Sequence, residues 1–591
     1  MESLPLWIGP PDRPLFAWLD VPDDGLAVGV AVICPSMGLE AAYSSRALRS
    51  LAHRLAGKRW AALRIDYAAT GDSVGSWTDP DLVAEWLGNI RLAIDTARTL
   101  GAARVGVVGL RLGATLAAAE LARGGPVDDL VLWDPCATGR AFLREQVAFA
   151  AFRRRLAVEW GVESKATLRE PRPAPEDGLV EAPGAVFSGA TAAALGPLAV
   201  AWSDHSPASR ELVLTREGRR IERAVAKRLT MPGVESSVMT GQEALFEEQP
   251  VTPVPTLDRI VSWLGEAGGS PAPLVMPASS ASALLHAPGR IGVRERPVEL
   301  GPARLFGVLS EPENDIDPSA PTVLFLNVGL IGHQGPGRLW VELARACAAA
   351  GGVRCLRADL SGIGDSPTRP GRPELVARPA SAAEDVDDIR RAMTGEGSDL
   401  IVIGVCSGAD HAIESALSAP VAALCVVNPA LSYWMRRDAQ MAAPADGAPQ
   451  TSDDHKTWGG PGPLLSRAMT LVAPYKRLSR WIPAPGWWVV KRWLTTGTMV
   501  RTLEHLTQTG VDVLVVAGPI EARRVYRGEQ HRLHALIAKG RVHMEIVPDL
   551  DHSLLERISH DRISELIASY VEHRAADLSG PGGAPAAPLR T

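Results

Sequence analysis

Two short stretches of this chain carry residues that could do chemistry, and both have the same spacing. Gly404-Val405-Cys406-Ser407-Gly408 sets a thiol between flanking glycines, and Gly109-Leu110-Arg111-Leu112-Gly113 sets a guanidinium at the same place. A residue framed by glycines two positions away suits a tight strand-to-helix turn, where the central side chain is lifted clear and its flanks must be small. A thiolate raised in this way attacks carbonyl carbon. A guanidinium stays charged at every physiological pH and attacks nothing. The spacing puts Cys406 at the crest; a Ser407 nucleophile would require the turn to slip by one residue. A small buried cysteine with no chemistry is the plain alternative.

A reactive thiol gains from a nearby imidazole and from a helix N-terminus, both of which favour the thiolate. His552, in Val547-Pro548-Asp549-Leu550-Asp551-His552-Ser553, falls in a loop between an apolar strand over 542–547 and the final helix. His543 and His560 read as structural or solvated, and His531 and His534 lie on a polar helix over 529–539. The first half of the chain has only His53 and His205, neither in the corresponding loop over 236–255. The copy with Arg111 therefore lacks both nucleophile and base.

The elements that must position these groups occur twice. "LRIDYAATGDS" (63–73) returns as "LRADLSGIGDS" (356–366), and residues 5–22 are echoed by 296–312, two short strands around a Gly-Pro turn. The two elbows are 295 residues apart and the two GDS motifs 293. A near-constant offset over several landmarks marks a duplicated or fused fold. Each copy alternates strand and helix, with uninterrupted apolar strands such as 105–109 and 400–404. That pattern means a parallel sheet covered by helices on both faces.

Together, the LRxDxxxxGDS motif, "GLRLGA", "GVCSGA" and "VLWDPCATGRAFLRE" (131–145) resemble the α/β-hydrolase superfamily, and more narrowly the hydrolase-like proteins encoded beside bacterial exosortase systems. The resemblance implies two tandem α/β-hydrolase domains, mostly parallel doubly wound sheets, the second with a sizeable cap insertion. It implies His552 as the base for Cys406. It also implies an acid after the penultimate core strand, where Gly518 and Glu521 stand; Glu521 could instead be a first-turn helix residue paired with Arg524 or left in water. Asn428 occupies another acid position but is no carboxylate. The oxyanion hole is expected from the backbone N–H groups of Ser407 and Leu330. His333 and Arg338, in the same glycine-rich loop (327–338), read either as anion binders or as surface residues.

Expected boundaries are 1–267 for a pseudoenzyme domain marked by Arg111, 268–289 for a Gly/Ser/Pro/Ala linker, 290–575 for the second domain with a cap at about 430–508, and 576–591 for a disordered tail. Within the cap, 471–494 interleaves tryptophans with Lys and Arg. It reads as an amphipathic cap helix, or as a surface for an acyl group or an acidic carrier protein.

The chain has 591 residues, 22% of them charged, and a net charge of −6, which gives no sign of nucleic-acid binding. Its six cysteines form no C-x-x-C pair, so neither a disulfide framework nor a metal is expected, and no cofactor is implied. No apolar run approaches the ~20 residues of a membrane span, and the start is unlike a signal peptide; a cytoplasmic protein is expected. The function expected is acyl transfer or hydrolysis of a small-molecule or carrier-bound acyl ester or thioester. The alternative is a binding or scaffold protein made of two retired hydrolase domains.

Overall fold

The computed structural model describes residues 2–159, 178–200, 206–247, 249–277, 281–286, 291–314, 316–317, 320–393, 399–429, 499–526 and 530–579. Most of the expected cap, 430–498, with its tryptophan-rich stretch 471–494, lies outside the described residues, as do 580–591 of the tail.

Two sheets are built to one plan. The first contains β1 (Glu2–Ile8), β2 (Leu15–Val21), β3 (Gly29–Cys34), β4 (Trp60–Ile65), β5 (Arg104–Leu110), β6 (Val127–Trp133), β7 (Ala208–Arg216) and β8 (Val234–Met239). Their spatial order is β1-β2-β4-β3-β5-β6-β7-β8. The second contains β9 (Ala283–Leu285), β10 (Val293–Leu300), β11 (Leu305–Pro312), β12 (Thr322–Phe325), β13 (Arg354–Ala358), β14 (Leu400–Val405), β15 (Ala423–Val427), β16 (Asp512–Ala517) and β17 (Val542–Ile546), in the order β9-β10-β11-β13-β12-β14-β15-β16-β17. Apart from the extra edge strand β9, the orders are the same, and in both sheets the leading strands run antiparallel before a parallel body. Strands β3, β14 and β16 are buried along their whole length, as their unbroken apolar sequences require of a sheet covered on both faces.

Three boundaries differ from expectation. The segment 268–289 is partly built into both halves: Ala272–Pro273 pairs with Leu26–Ala27, and β9 pairs with β10. The helix Met499–Gln508, expected in the cap, belongs to the second core, because Met499, Val500, Leu503 and Leu506 form one apolar face buried there. The final helix continues through Ser579, past the expected start of the tail.

The repeated LRxDxxxxGDS motif performs the same local job twice. Ser73 Oγ donates to Asp66 O at 2.7 Å and accepts from Phe16 N at 2.9 Å; Ser366 Oγ does so with Asp359 O at 2.6 Å and Phe306 N at 2.9 Å. Asp66 and Asp359 each accept from the backbone N–H of the motif's second aspartate, Asp72 or Asp365, at 2.9 and 3.0 Å. Gly71 and Gly364 have φ of 49° and 52°, and a Cβ at either would meet the aspartate at 2.0–2.2 Å, so only glycine fits.

The motifs also join the halves. Arg64 of the first reaches Asp365 of the second at 3.0 Å, and Arg357 of the second pairs with Asp72 of the first. Arg46 and Arg49 donate to Ser366 O at 2.7 and 3.0 Å, while Arg338 and Arg345 of the second half donate to the backbone carbonyls of the first motif. Trp18 packs against Phe306 with centroids 4.7 Å apart and ring planes tilted by 58°. Each copy presents the same patch to the other, the arrangement of an isologous pair inside one chain.

Candidate active site

Both elbows have the strained turn that their sequences imply. Cys406 sits at φ 52°, ψ −111° and Arg111 at φ 54°, ψ −116°, each just before a helix. A Cβ on Gly404 would lie 2.2 Å from Gly408 O, and one on Gly408 would lie 2.5 Å from Asn327 O. The flanking glycines are therefore required by close packing of strand, helix and loop.

At the crest of the second elbow, Cys406 Sγ lies 3.1 Å from His552 Nε2. The other ring nitrogen, Nδ1, faces Glu521 Oε1 at 3.4 Å, outside hydrogen-bond geometry, and neither atom has another hydrogen-bond partner among the described residues. Glu521 opens the helix Pro519–Tyr526 directly after β16 and is buried. Burial alone would raise the Cys406 thiol; the His552 imidazole and the Arg378 guanidinium outweigh it and hold the thiol below its ordinary range. Burial likewise opposes the charged His552, but Cys406 and Glu521 raise it well above the ordinary imidazole value. By contrast, burial pushes Cys34 and Cys425 up to about 12. Each of the two groups thus favours the charged form of the other.

Ser407 is buried, and its Oγ accepts a hydrogen bond from Gly329 N at 2.9 Å. Its hydroxyl is thus committed to the loop that carries Leu330, and its own N–H lies in the first turn of the following helix, where backbone donors lack intrahelical partners. Asn327 ties the same loop down, donating from Nδ2 to Ile331 O at 3.1 Å and to Asp359 Oδ1 at 2.9 Å.

Sequence reasoning missed one residue, Arg378, and the part played by another, Asn428. Arg378 comes from the loop between β13 and the helix Ala382–Met393 and donates from Nε to Asp410 Oδ2 at 3.0 Å. Asn428, at φ 46°, accepts from Gly518 N at 2.9 Å and donates to Asp551 O and His552 O at 3.2 Å each. It braces the histidine loop against the segment that delivers Glu521. Its sequence signal was its place just past the end of β15, at an acid position where it is no carboxylate. Asp551 does not reach the His552 ring; its carboxylate accepts from Leu555 N and Glu556 N and caps the following turn.

The readings of His333 and Arg338 are corrected. Both are engaged by protein groups: His333 is fully buried, with Nδ1 2.8 Å from Asp359 and Nε2 2.7 Å from Asp72. Burial disfavours its charge, but those two carboxylates raise it well above the ordinary value. Arg338 donates to Gly71 O and Gly75 O at 2.8 Å each.

Arg111 occupies the first elbow and is filled from within. It meets Glu40 at 3.2 and 3.3 Å, Asp134 at 3.5 Å, and Glu145. Arg216 and Arg219 also pair with Asp134, and Arg219 with Glu145. Three guanidiniums thus face three carboxylates, so the guanidinium needs no bound anion. The loop that would have delivered a histidine instead brings Gln242, which accepts from Trp133 Nε1 at 2.6 Å, and Phe246, 5.9 Å from the Arg111 guanidinium carbon.

Residues 323–563 match the sequence model of the Alpha/beta hydrolase family. The fold is that of an α/β-hydrolase. Its strand order recurs in the first half, so the chain carries the fold twice. Similar solved structures include Est1E from Butyrivibrio proteoclasticus with ferulic acid bound, at 17% identity over 44% of this chain and 96% of that one, TM-score 0.32. XC6422 from Xanthomonas campestris, described as a serine hydrolase without a lid, is 17% identical over 45% of this chain and 94% of its own, TM-score 0.28. Proline iminopeptidase from Mycobacterium smegmatis is 17% identical over 48% and 99%, TM-score 0.28. No curated protein matches the chain. Among the described residues, no helix is long and apolar enough to cross a membrane.

Proposed function

We propose that the second half cleaves or transfers acyl groups through a thioester on Cys406, and that the first half is a non-catalytic scaffold. The observation that carries this reading is the Sγ–Nε2 separation of 3.1 Å at the crest of a strained elbow. His552 takes the thiol proton, and the thiolate attacks the acyl carbonyl. The N–H groups of Ser407 and Leu330 receive the oxyanion, which then collapses and expels an alcohol or thiol that takes its proton from the imidazolium. Water, or an amine or thiol acceptor, attacks the thioester with His552 again as base, and Cys406 is released. Glu521 steadies the imidazolium between steps. A cysteine nucleophile makes thioesters and amine acceptors as suitable as simple esters, so a carrier-bound acyl group is a natural substrate class. The short repeated motifs support kinship with exosortase-associated hydrolase-like proteins.

Turnover of p-nitrophenyl acetate and of a short acyl thioester by the full chain tests the proposal. Cys406→Ala and His552→Ala should each lower kcat by roughly two orders of magnitude or more. Undiminished turnover in Cys406→Ala would overturn it.

A further inference from the structure

The oxyanion loop of the second half, 327–338, is anchored by residues of the first. His333 is clamped between Asp359 of its own half and Asp72 of the other, at 2.8 and 2.7 Å. Gln334 donates to the same Asp72 carboxylate at 3.2 Å, and Arg338 to Gly71 O and Gly75 O at 2.8 Å. Ile331, one residue after Leu330, packs with Leu39, Tyr43 and Leu555 in an apolar cluster that spans both halves. The turn after His552 is held in the same way: Arg154 Nε pairs with Glu556 Oε1 at 2.6 Å, and Gly184 N donates to Leu555 O at 3.4 Å.

We infer that the first half completes the second half's active site, with Asp72 as the positioning residue that sets the oxyanion loop through His333. The inference rests on the reading of 327–338 as the oxyanion loop. The chain of contacts is continuous. Asp72 fixes the His333 ring, and Asp359 takes the other ring nitrogen and the His333 backbone N–H at 2.7 Å. Asp359 also accepts from Asn327, which holds Ile331 O and so closes the loop around Gly329 and Leu330. The anchor is buried and ionic, and its charges are already balanced: Arg357 pairs with Asp72 on its far side. A shift of about 1 Å in a catalytic donor lowers rate by up to ~100-fold, so the loop's far anchor is felt at the reacting carbonyl although it never touches substrate. This gives the fused first half a task that needs no active site of its own.

Asp72→Asn and Arg338→Met, each in the full chain, test it in three ways. Backbone amide exchange across 327–338, followed by mass spectrometry, should rise in both variants; unchanged exchange overturns the inference whatever the activity. For p-nitrophenyl acetate, kcat should fall about 10- to 100-fold with KM nearly constant. Alkylation of Cys406 by iodoacetamide, which needs the thiolate but no oxyanion hole, should stay near the wild-type rate. A parallel loss of alkylation means general loosening of the half and also overturns the inference. A wild type that shows no ester turnover, while exchange still rises in the variants, refutes the proposed chemistry and leaves the loop-anchoring role standing.

Discussion

Replacing Arg111 with Met tests whether the first elbow is sealed by its own charges. The substitution keeps an unbranched side chain of similar reach but leaves Asp134 and Glu145 facing only Arg216 and Arg219, and Glu40 with only the neutral donors Ser36 and Gln146. Removing one partner of a buried ionic cluster costs about 3–5 kcal/mol. Glu40 and Asp134 are less than a tenth exposed, but the Glu145 side chain is 37% exposed, and water screens its share. The lower end, about 3 kcal/mol, is therefore expected, or a fall of roughly 6–12 °C in the melting temperature of a domain this size. Burial opposes the charge on Glu145, yet Arg111 and Arg219 hold its pKa below the ordinary value. Such a carboxylate contributes stability that is present above its unfolded pKa and lost as pH falls. The deficit should thus be full at pH 7.5 and smaller at pH 4, below the ordinary glutamate pKa, where the Glu145 contribution begins to be lost. Calorimetry at the two pH values provides the assay, and Glu40→Gln added to Arg111→Met should recover part of the loss. An unchanged melting temperature at pH 7.5, or a larger deficit at pH 4, would refute the reasoning.

Three further outcomes follow from the same physics. Burial beside Asp72 raises Asp66 to about 7, so its stability contribution is full below the ordinary carboxylate pKa and lost as pH rises through 7; Asp66→Asn should raise the melting temperature at pH 8 and leave it unchanged at pH 3.5. Glu521→Gln removes a charge that supports the His552 imidazolium, so the rise of iodoacetamide reactivity at Cys406 should move to higher pH; an unmoved profile argues against Glu521 as the orienting acid. Ser407→Ala loses the acceptor for Gly329 N–H, worth ~1–3 kcal/mol in a buried site, and should lower kcat roughly 10-fold while alkylation of Cys406 persists; inactivity as deep as that of Cys406→Ala would favour a serine nucleophile.

The fold was legible because its signals are local and repeated. Unbroken apolar strands such as Leu400–Val405 have few other solutions, and two elbows at a constant offset require two copies of one sheet. Cys406 and His552 could be paired because glycine spacing marks the elbow and the α/β-hydrolase resemblance implies a histidine in the loop between the last strand and the final helix. Residues whose meaning lies in a distant partner could not be read. His333 sits in a glycine-rich loop that suggests exposure, yet its anchor, Asp72, is 261 residues away in the other half. Arg378 lies in a loop without periodicity, and nothing nearby in sequence points to Asp410. The spacing sets Arg111 where Cys406 stands in the second copy, but Glu40 and Glu145, which pair with it, come from separate helices and are invisible as a set in the sequence.

The most direct test of the central claim is to trap the acyl-enzyme. The full chain is treated briefly with p-nitrophenyl acetate at mildly acidic pH, quenched in acid, digested and analysed by mass spectrometry. A single acetyl group on the Cys406 peptide, labile to hydroxylamine and absent from His552→Ala, is the predicted result. An unmodified Cys406, or an acetyl group that survives Cys406→Ala on the same peptide at Ser407, would contradict the account.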